Sequence, residues 1–177
     1  GKHNFRWRGD FNISFVRNKL TKLLDDNDVV TPDSFHALKV GEEVGSFYMI
    51  KMLGIYQHDE DVPEYLYKNE GVRAGDVIYD DYDGDGKITA DDRQIVGSAN
   101  PKFSGGFNNT FSYKNLELSI FMTYSYGQSI YEYWTGGLRL GNGTWPQLKS
   151  VCEGRWTGPG TTNKTPRAIY GQSWNST

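Results

Sequence analysis

Three stretches of strict two-residue alternation constrain this chain more than anything else in it. In the first, Phe5, Trp7, Gly9, Phe11, Ile13 and Phe15 fall on one side, with Arg6, Arg8, Asp10, Asn12 and Ser14 on the other. The second sets Phe103, Gly105, Phe107, Asn109, Phe111 and Tyr113 against Ser104, Gly106, Asn108, Thr110 and Ser112. The third sets Leu116, Leu118, Ile120, Met122, Tyr124 and Tyr126 against Glu117, Ser119, Phe121, Thr123 and Ser125. Successive side chains of a strand point to opposite faces, so this period predicts strands with one greasy face and one polar face. Only Lys114 and Asn115 separate the second and third runs, which predicts a two-residue hairpin.

Two environments suit such strands. One is a soluble antiparallel sheet with its apolar face on a core and its polar face in water. The other is a membrane barrel, in which a strand of ~9–11 residues crosses the bilayer, its apolar face meets lipid and its polar face lines the lumen. Alternation alone puts the soluble sheet ahead of the barrel.

Composition narrows the function classes. A chain of 177 residues supports one substantial domain. Its twelve Tyr, nine Phe and five Trp against a mean hydropathy of -0.65 place the apolar surface in rings among many small polar residues, as turn-rich β-proteins do. The net charge of -3, without a basic run, gives no footprint for nucleic acid. Cys152 is the single cysteine, so no intrachain disulfide forms, and it reads as a small, partly buried hydrophobe. His3, His36 and His58 are scattered, and no nucleophile elbow, zinc-binding helix or phosphate loop is present, so no enzyme is expected. No apolar run approaches the ~20 residues of a spanning helix, which leaves spanning strands untouched. The tripeptide Arg8-Gly9-Asp10 lies inside a predicted strand and is not read as an adhesion signal.

The interval from Val16 to Lys102 is too long for a structureless loop and is expected to fold as an excursion of its own. Within it, VGSFYMIKMLGIYQ reads as a strand or hairpin, and GDVIY as a strand. After Tyr126 a Gly-rich stretch precedes a predicted short helix, with Thr144 as N-cap, Gln147 three residues on, Pro146 in the first turn and Leu148, Val151, Cys152 and Trp156 at helical spacing. Both ends of the chain read as cut from something larger.

The excursion contains DYDGDGKITADD, residues 81–92. It fits the twelve-position calcium loop: Asp81, Asp83 and Asp85 at one, three and five, glycine at six, the Lys87 carbonyl at seven, Thr89 at nine and Asp92 at twelve. Alternate side chains on a tightly wound backbone converge on one cation, and an all-oxygen, flexible set suits Ca2+, with Mg2+ the alternative. Asp92 stands where many such loops have glutamate. Thr89 is also expected to cap a short helix, with Asp92 at its third position. Ile88 is expected to anchor the loop to its host.

Several of these stretches resemble the C-terminal part of SusC/RagA-type TonB-dependent outer-membrane transporters of Bacteroidota. The resemblance is carried by NISFVRNKLTKL, by VGEEVGSFYMIKMLGIYQ, by GDVIYDDYDGDGKITADDRQIVGSANPKFSGGFNNTFSYKNLELSIF and by RWTGPGTTNKTPR. Met49 stands where that family often has Gly. The resemblance implies an all-β chain, part of a 22-stranded antiparallel transmembrane barrel with long extracellular loops, one short helix and an EF-hand-like loop. It implies a barrel strand at 1–16, an extracellular excursion at 17–102 holding the loop 81–92, a barrel hairpin at 103–126 and an extracellular loop with a short helix at 127–177. It further implies an outer-membrane location and uptake of oligosaccharides or peptides. The implied partners are the rest of the barrel and its plug, a SusD-like surface lipoprotein and TonB. No substrate-contacting residue follows from it. The competing class is a soluble calcium-binding interaction module.

Overall fold

In the computed structural model, residues 4–24, 28–132, 146–171 and 174–176 are described. The chain's contacts divide into two units, Gly1–Phe47 with Gly97–Ile130, and Tyr48–Val96 with Tyr131–Thr177. Among the described residues, nine strands occur in chain order: β1 Phe5–Ser14, β2 Val29–Val30, β3 His36–Lys39, β4 Ser46–Met49, β5 Met52–Ile55, β6 Val77–Tyr79, β7 Gln94–Ser98, β8 Phe103–Tyr113 and β9 Leu116–Tyr126. A short α-helix, α1, covers Lys149–Gly154. Among the described residues no helix is long and apolar enough to cross a membrane, which says nothing of strands.

The first unit is built on an antiparallel sheet in the order β1-β8-β9. Its register pairs Trp7 with Phe111, Phe11 with Phe107, Phe107 with Met122 and Asn109 with Ile120. Directly opposed residues share a face, so the three alternating runs merge into one continuous apolar surface and one continuous polar surface. The apolar surface is open: Phe11 is 64% exposed, Leu118 54% and Ile120 41%. The turn between β8 and β9 is Lys114-Asn115, with Lys114 at φ 53° and its amide donating to the Asn4 carbonyl, 3.1 Å. A left-handed residue at the first turn position matches the right-handed twist of the flanking strands.

One polar residue interrupts the apolar surface, and its neighbours explain how. Asn109 faces Gly9 across the ladder and is buried. Because Gly9 has no Cβ, the Trp7 ring lies across that position, 3.0 Å from where a Cβ would sit, and its Nε1-H donates to Asn109 Oδ1 at 3.1 Å. The indole thus satisfies the amide carbonyl and covers it.

The remaining strands of the excursion are short. β2, β3, β4 and β7 form a four-stranded sheet in that order, and β5 pairs with β6. The stretch expected to be one strand or hairpin is therefore two strands, β4 and β5, that join different sheets. Ile50 and Lys51 part them, and the Lys51 carbonyl accepts from the Asp80 amide at 2.9 Å.

The core of the second unit is Tyr56, Val62, Leu66 and Val72, flanked by Tyr67, Ile78 and Trp174. It contains none of the residues of the three alternating runs. Beside it, Asp76 is fully buried and holds Arg167 by two parallel bonds, Nε to Oδ1 and a terminal nitrogen to Oδ2, both 2.8 Å. Asn175 Nδ2 donates to Asp76 Oδ1 at 3.1 Å and the Arg73 amide to Oδ2 at 2.9 Å. Gln57 is a second hub. Its Oε1 accepts from Trp156 Nε1 and the Gly160 amide, while its Nε2 donates to the Ile55 and Thr162 carbonyls.

Helix α1 starts later than expected. Thr144 lies outside the described residues; Leu148 occupies the position before the helix and offers no side-chain cap. Cys152 is exposed on α1 rather than partly buried, because the helix spans only six residues and carries no buried one.

Candidate functional site

Strand β6 delivers the chain into the acidic loop. The Asp80 carboxylate accepts from Gln94 Nε2 at 2.9 Å, which ties the entry of the loop to the strand that follows it. Asp81 then organises the first half: its Oδ1 accepts the amides of Gly84 (2.8 Å) and Asp85 (3.1 Å), and its Oδ2 that of Gly86 (2.9 Å). Gly86 sits at φ +80°, the left-handed conformation that the sixth position requires and that a Cβ disfavours.

Asp81, Asp83 and Asp85 bring one carboxylate oxygen each within 4.8 Å of the others. Asp83 Oδ1 accepts the Asp85 amide at 3.0 Å and Asp85 Oδ1 the Lys87 amide at 2.7 Å. The second oxygen of each makes no hydrogen bond among the described residues. The Asp85 amide draws the Asp83 carboxyl down, but lost hydration and the charges of Asp85, Asp92 and Asp81 outweigh it and hold the group above its ordinary value. The loop thus gathers like charges that repel one another, and a cation between them would relieve that repulsion.

Asp92 is placed differently. It is fully buried, its Oδ1 accepting the amides of Tyr82 (2.8 Å) and Asp83 (3.5 Å) and its Oδ2 the amide of Thr89 (2.7 Å). Thr89 Oγ1 accepts the Asp91 amide at 3.2 Å, so Thr89 and Asp92 form the expected capping box around a 3₁₀ turn at Ala90–Asp92. Asp92 closes the loop by gathering amides from both of its ends and stands apart from the three-carboxylate cluster. Ile88 is half-buried, as an anchor should be. Lys87 offers its carbonyl at the seventh position, and its ammonium lies 5.8 Å from the Tyr65 ring.

The sheet β1-β8-β9 is the other candidate surface. Its polar side holds Arg6, Arg8, Asp10, Asn108, Thr110, Ser112 and Glu117 around an open hollow of about 670 Å³. Arg8 is paired with Asp10 at 3.1 Å, and Thr110 shares a hydrogen bond with Ser119. This side is hydrophilic but nearly charge-balanced, with Phe121 its one large apolar residue.

The hubs at Gln57, Asp76 and Arg167 were not singled out from the sequence. A signal for them was present, since Gln57 ends GIYQ, Asp76 opens the segment before the acidic loop, and Trp156, Asn163 and Arg167 all lie in RWTGPGTTNKTPR. In the structure these motif residues lock one segment onto another. Asn163 Oδ1, for example, accepts the Ile55 amide at 2.7 Å.

An antiparallel sheet apolar on one complete face and polar on the other, with its apolar face uncovered, defines a segment of the bilayer-spanning β-barrel class. Comparison with known proteins gives the kind of barrel. The chain is similar over 93% of its length to TonB-dependent receptors P3 (34% identical) and P26 (32%) of Formosa agariphila, and over 92% to receptor P39 of the same organism (27%). Its sequence is thus similar to one segment of these TonB-dependent receptors. It spans under a fifth of the length of these relatives, 17% of P3 and P26 and 19% of P39. The fold is shared with a solved chain of the RagAB peptide importer in its open-open state: TM-score 0.65 at 20% identity, over 97% of this chain and 18% of that one. No family model matches the sequence.

Proposed function

We propose that this segment is part of the wall and outer loops of a TonB-dependent active transporter in the bacterial outer membrane, which imports oligopeptides or glycans together with a SusD-like surface lipoprotein. The observation that carries the reading is the merging of three separate alternating runs into one apolar face, which stays exposed while the chain builds its compact core elsewhere. The likeness to named receptors and to a peptide importer supports the transport assignment. No bond chemistry belongs to the proposal: the segment supplies wall, vestibule and loop surface.

In this reading the Lys114-Asn115 turn faces the periplasm, because short turns lie there, and the folded excursion with its acidic loop faces outward. Within that loop Ca2+ would be held by Asp81, Asp83 and Asp85, with the Lys87 carbonyl and Thr89 adding to the set by position and Asp92 closing the loop through its amide bonds; Mg2+ is the competing ion. The donor chemistry fits, being all oxygen with two uncommitted carboxylate oxygens beside a cluster of like charge. The bound cation would hold the excursion in shape.

The test uses the full-length parent in its own cells. It should sediment with the outer membrane and come into solution only with detergent. A protease site placed in 81–92 should be cut in intact cells, whereas one at Lys114-Asn115 should be cut only after the cells are opened. Recovery of the parent as a soluble monomer in plain buffer would overturn the proposal.

A further inference from the structure

The two ends of the β1-β8-β9 sheet differ in what lies just beyond the apolar face. At the loop end the rings gather: Phe15 lies 6.2 Å from Phe103 between centroids, Phe103 stacks on Tyr126 at 5.2 Å and meets Tyr124 edge-on at 6.3 Å. Beyond this cluster the charge turns positive at once. Arg17 and Lys19 follow Phe15 by two and four residues, and Lys102 immediately precedes Phe103.

All three cations are exposed, and none makes an ion pair or side-chain hydrogen bond among the described residues. They are nevertheless held in place. The Leu20 amide donates to the Glu42 carbonyl at 2.9 Å, the Gly41 amide to the Leu20 carbonyl at 2.8 Å, and the Val44 amide to Asn18 Oδ1 at 2.7 Å, so the segment carrying Arg17 and Lys19 is pinned to the 41–44 turn. The Lys102 amide donates to the Tyr126 carbonyl at 2.8 Å, and its stem crosses Gly127, with Cγ 2.8 Å from where a Cβ would sit. The nearby acids are half-buried, and Glu43 is engaged by the Ser98 hydroxyl at 2.8 Å. At the opposite end, Lys114 lies against the Tyr113 ring at 5.4 Å.

Aromatic rings at a barrel rim mark the headgroup level, and the layer just outside it carries lipid phosphates. An unpaired guanidinium binds phosphate in a two-pronged fashion, and ammonium groups beside it add point charge. We infer that Arg17, Lys19 and Lys102 form a docking surface for the phosphate of a phosphorylated outer-leaflet lipid, seated against the ring cluster of Phe15, Phe103 and Tyr126. The inference rests on the transporter reading and its orientation, and adds to it an annular lipid bound at a chosen place on the wall.

The experiment places the full-length receptor in nanodiscs containing bisphosphorylated lipid A or its dephosphorylated form, and reads retained lipid by native mass spectrometry. The wild type should retain the phosphorylated form preferentially. Retention should weaken about fivefold for each cation removed, so by roughly two orders of magnitude in Arg17→Ala/Lys19→Ala/Lys102→Ala. Lys102→Gln alone should show the single step, and Lys114→Ala none. Equal retention of both lipids by the wild type, or a triple variant within twofold of it, overturns the inference while leaving the transporter reading intact. A parent that enters no bilayer overturns both.

Discussion

At the scale of single residues, two aspartates show opposite electrostatics. Asp83 is held above its ordinary value of 3.8 by its acidic neighbours, against the pull of the Asp85 amide. With the native value above the unfolded one, ionisation takes stability from the metal-free loop as pH rises through that interval, and a bound cation returns it. Calcium titration of the full-length receptor by calorimetry should therefore give heat that disappears in Asp83→Ala/Asp85→Ala. Affinity should weaken as pH falls toward the raised native value of Asp83, where protons compete for the same oxygens. Asp76 behaves in the reverse sense. Burial pushes its carboxyl up, but Arg167, the Arg73 amide and Asn175 outweigh this and lower it below 3.8. Its contribution is complete above 3.8 and is lost as pH falls toward the native value. Asp76→Ala leaves Arg167 facing a buried void and should cost about 3 kcal/mol, so local opening becomes easier by about two orders of magnitude. Hydrogen exchange should report it at the amides of Tyr56, Gly75 and Arg167, which bond around that corner; unchanged protection would contradict this account of Asp76.

At the scale of elements, the pair β1 and β8 depends on a covered amide. Trp7→Phe keeps a ring over Gly9 but removes the donor to Asn109, leaving a carbonyl unpaired on the apolar face. The expected cost is about 1–3 kcal/mol in the unfolding free energy of the full-length receptor. Adding Asn109→Leu should recover most of it, and a second substitution whose cost merely adds to the first would refute the coupling. How much was legible beforehand follows from the same contrast. The period of two is local, so the faces, the hairpin and its turn could be read from consecutive residues, and β8 and β9 occupy the stretches that alternate. The capping box of Thr89 and Asp92 is local too. Asn109 on the apolar face had no explanation in sequence, since its partner lies 102 residues away. The Asp76–Arg167 pair spans 91 residues and was equally hidden. The sequence presents β4 and β5 as one strand or hairpin because nothing in it says which sheet each will join. Cys152 reads as partly buried in sequence because helical spacing states which face an apolar residue shares, not whether anything covers that face.

At the scale of the whole molecule, the segment carries a sheet whose outer strands, β1 and β9, each have one neighbour among the described strands. In the proposed transporter the missing neighbours are further strands of the barrel, and the exposed apolar surface is covered by lipid. Strands of eleven residues, such as β8 and β9, extend ~36 Å, and at a tilt of ~40° they span about the apolar thickness of an outer membrane. The most direct measurement is a nitroxide scan along β9 in the full-length receptor, reconstituted in lipid bilayers. Labels at Leu118 and Ile120 should be relaxed by oxygen dissolved in the membrane, and labels at Ser119 and Thr123 by a water-soluble nickel chelate. Labels at Leu118 and Ile120 shielded from both reagents would mean that a protein core covers this face, and would contradict the account.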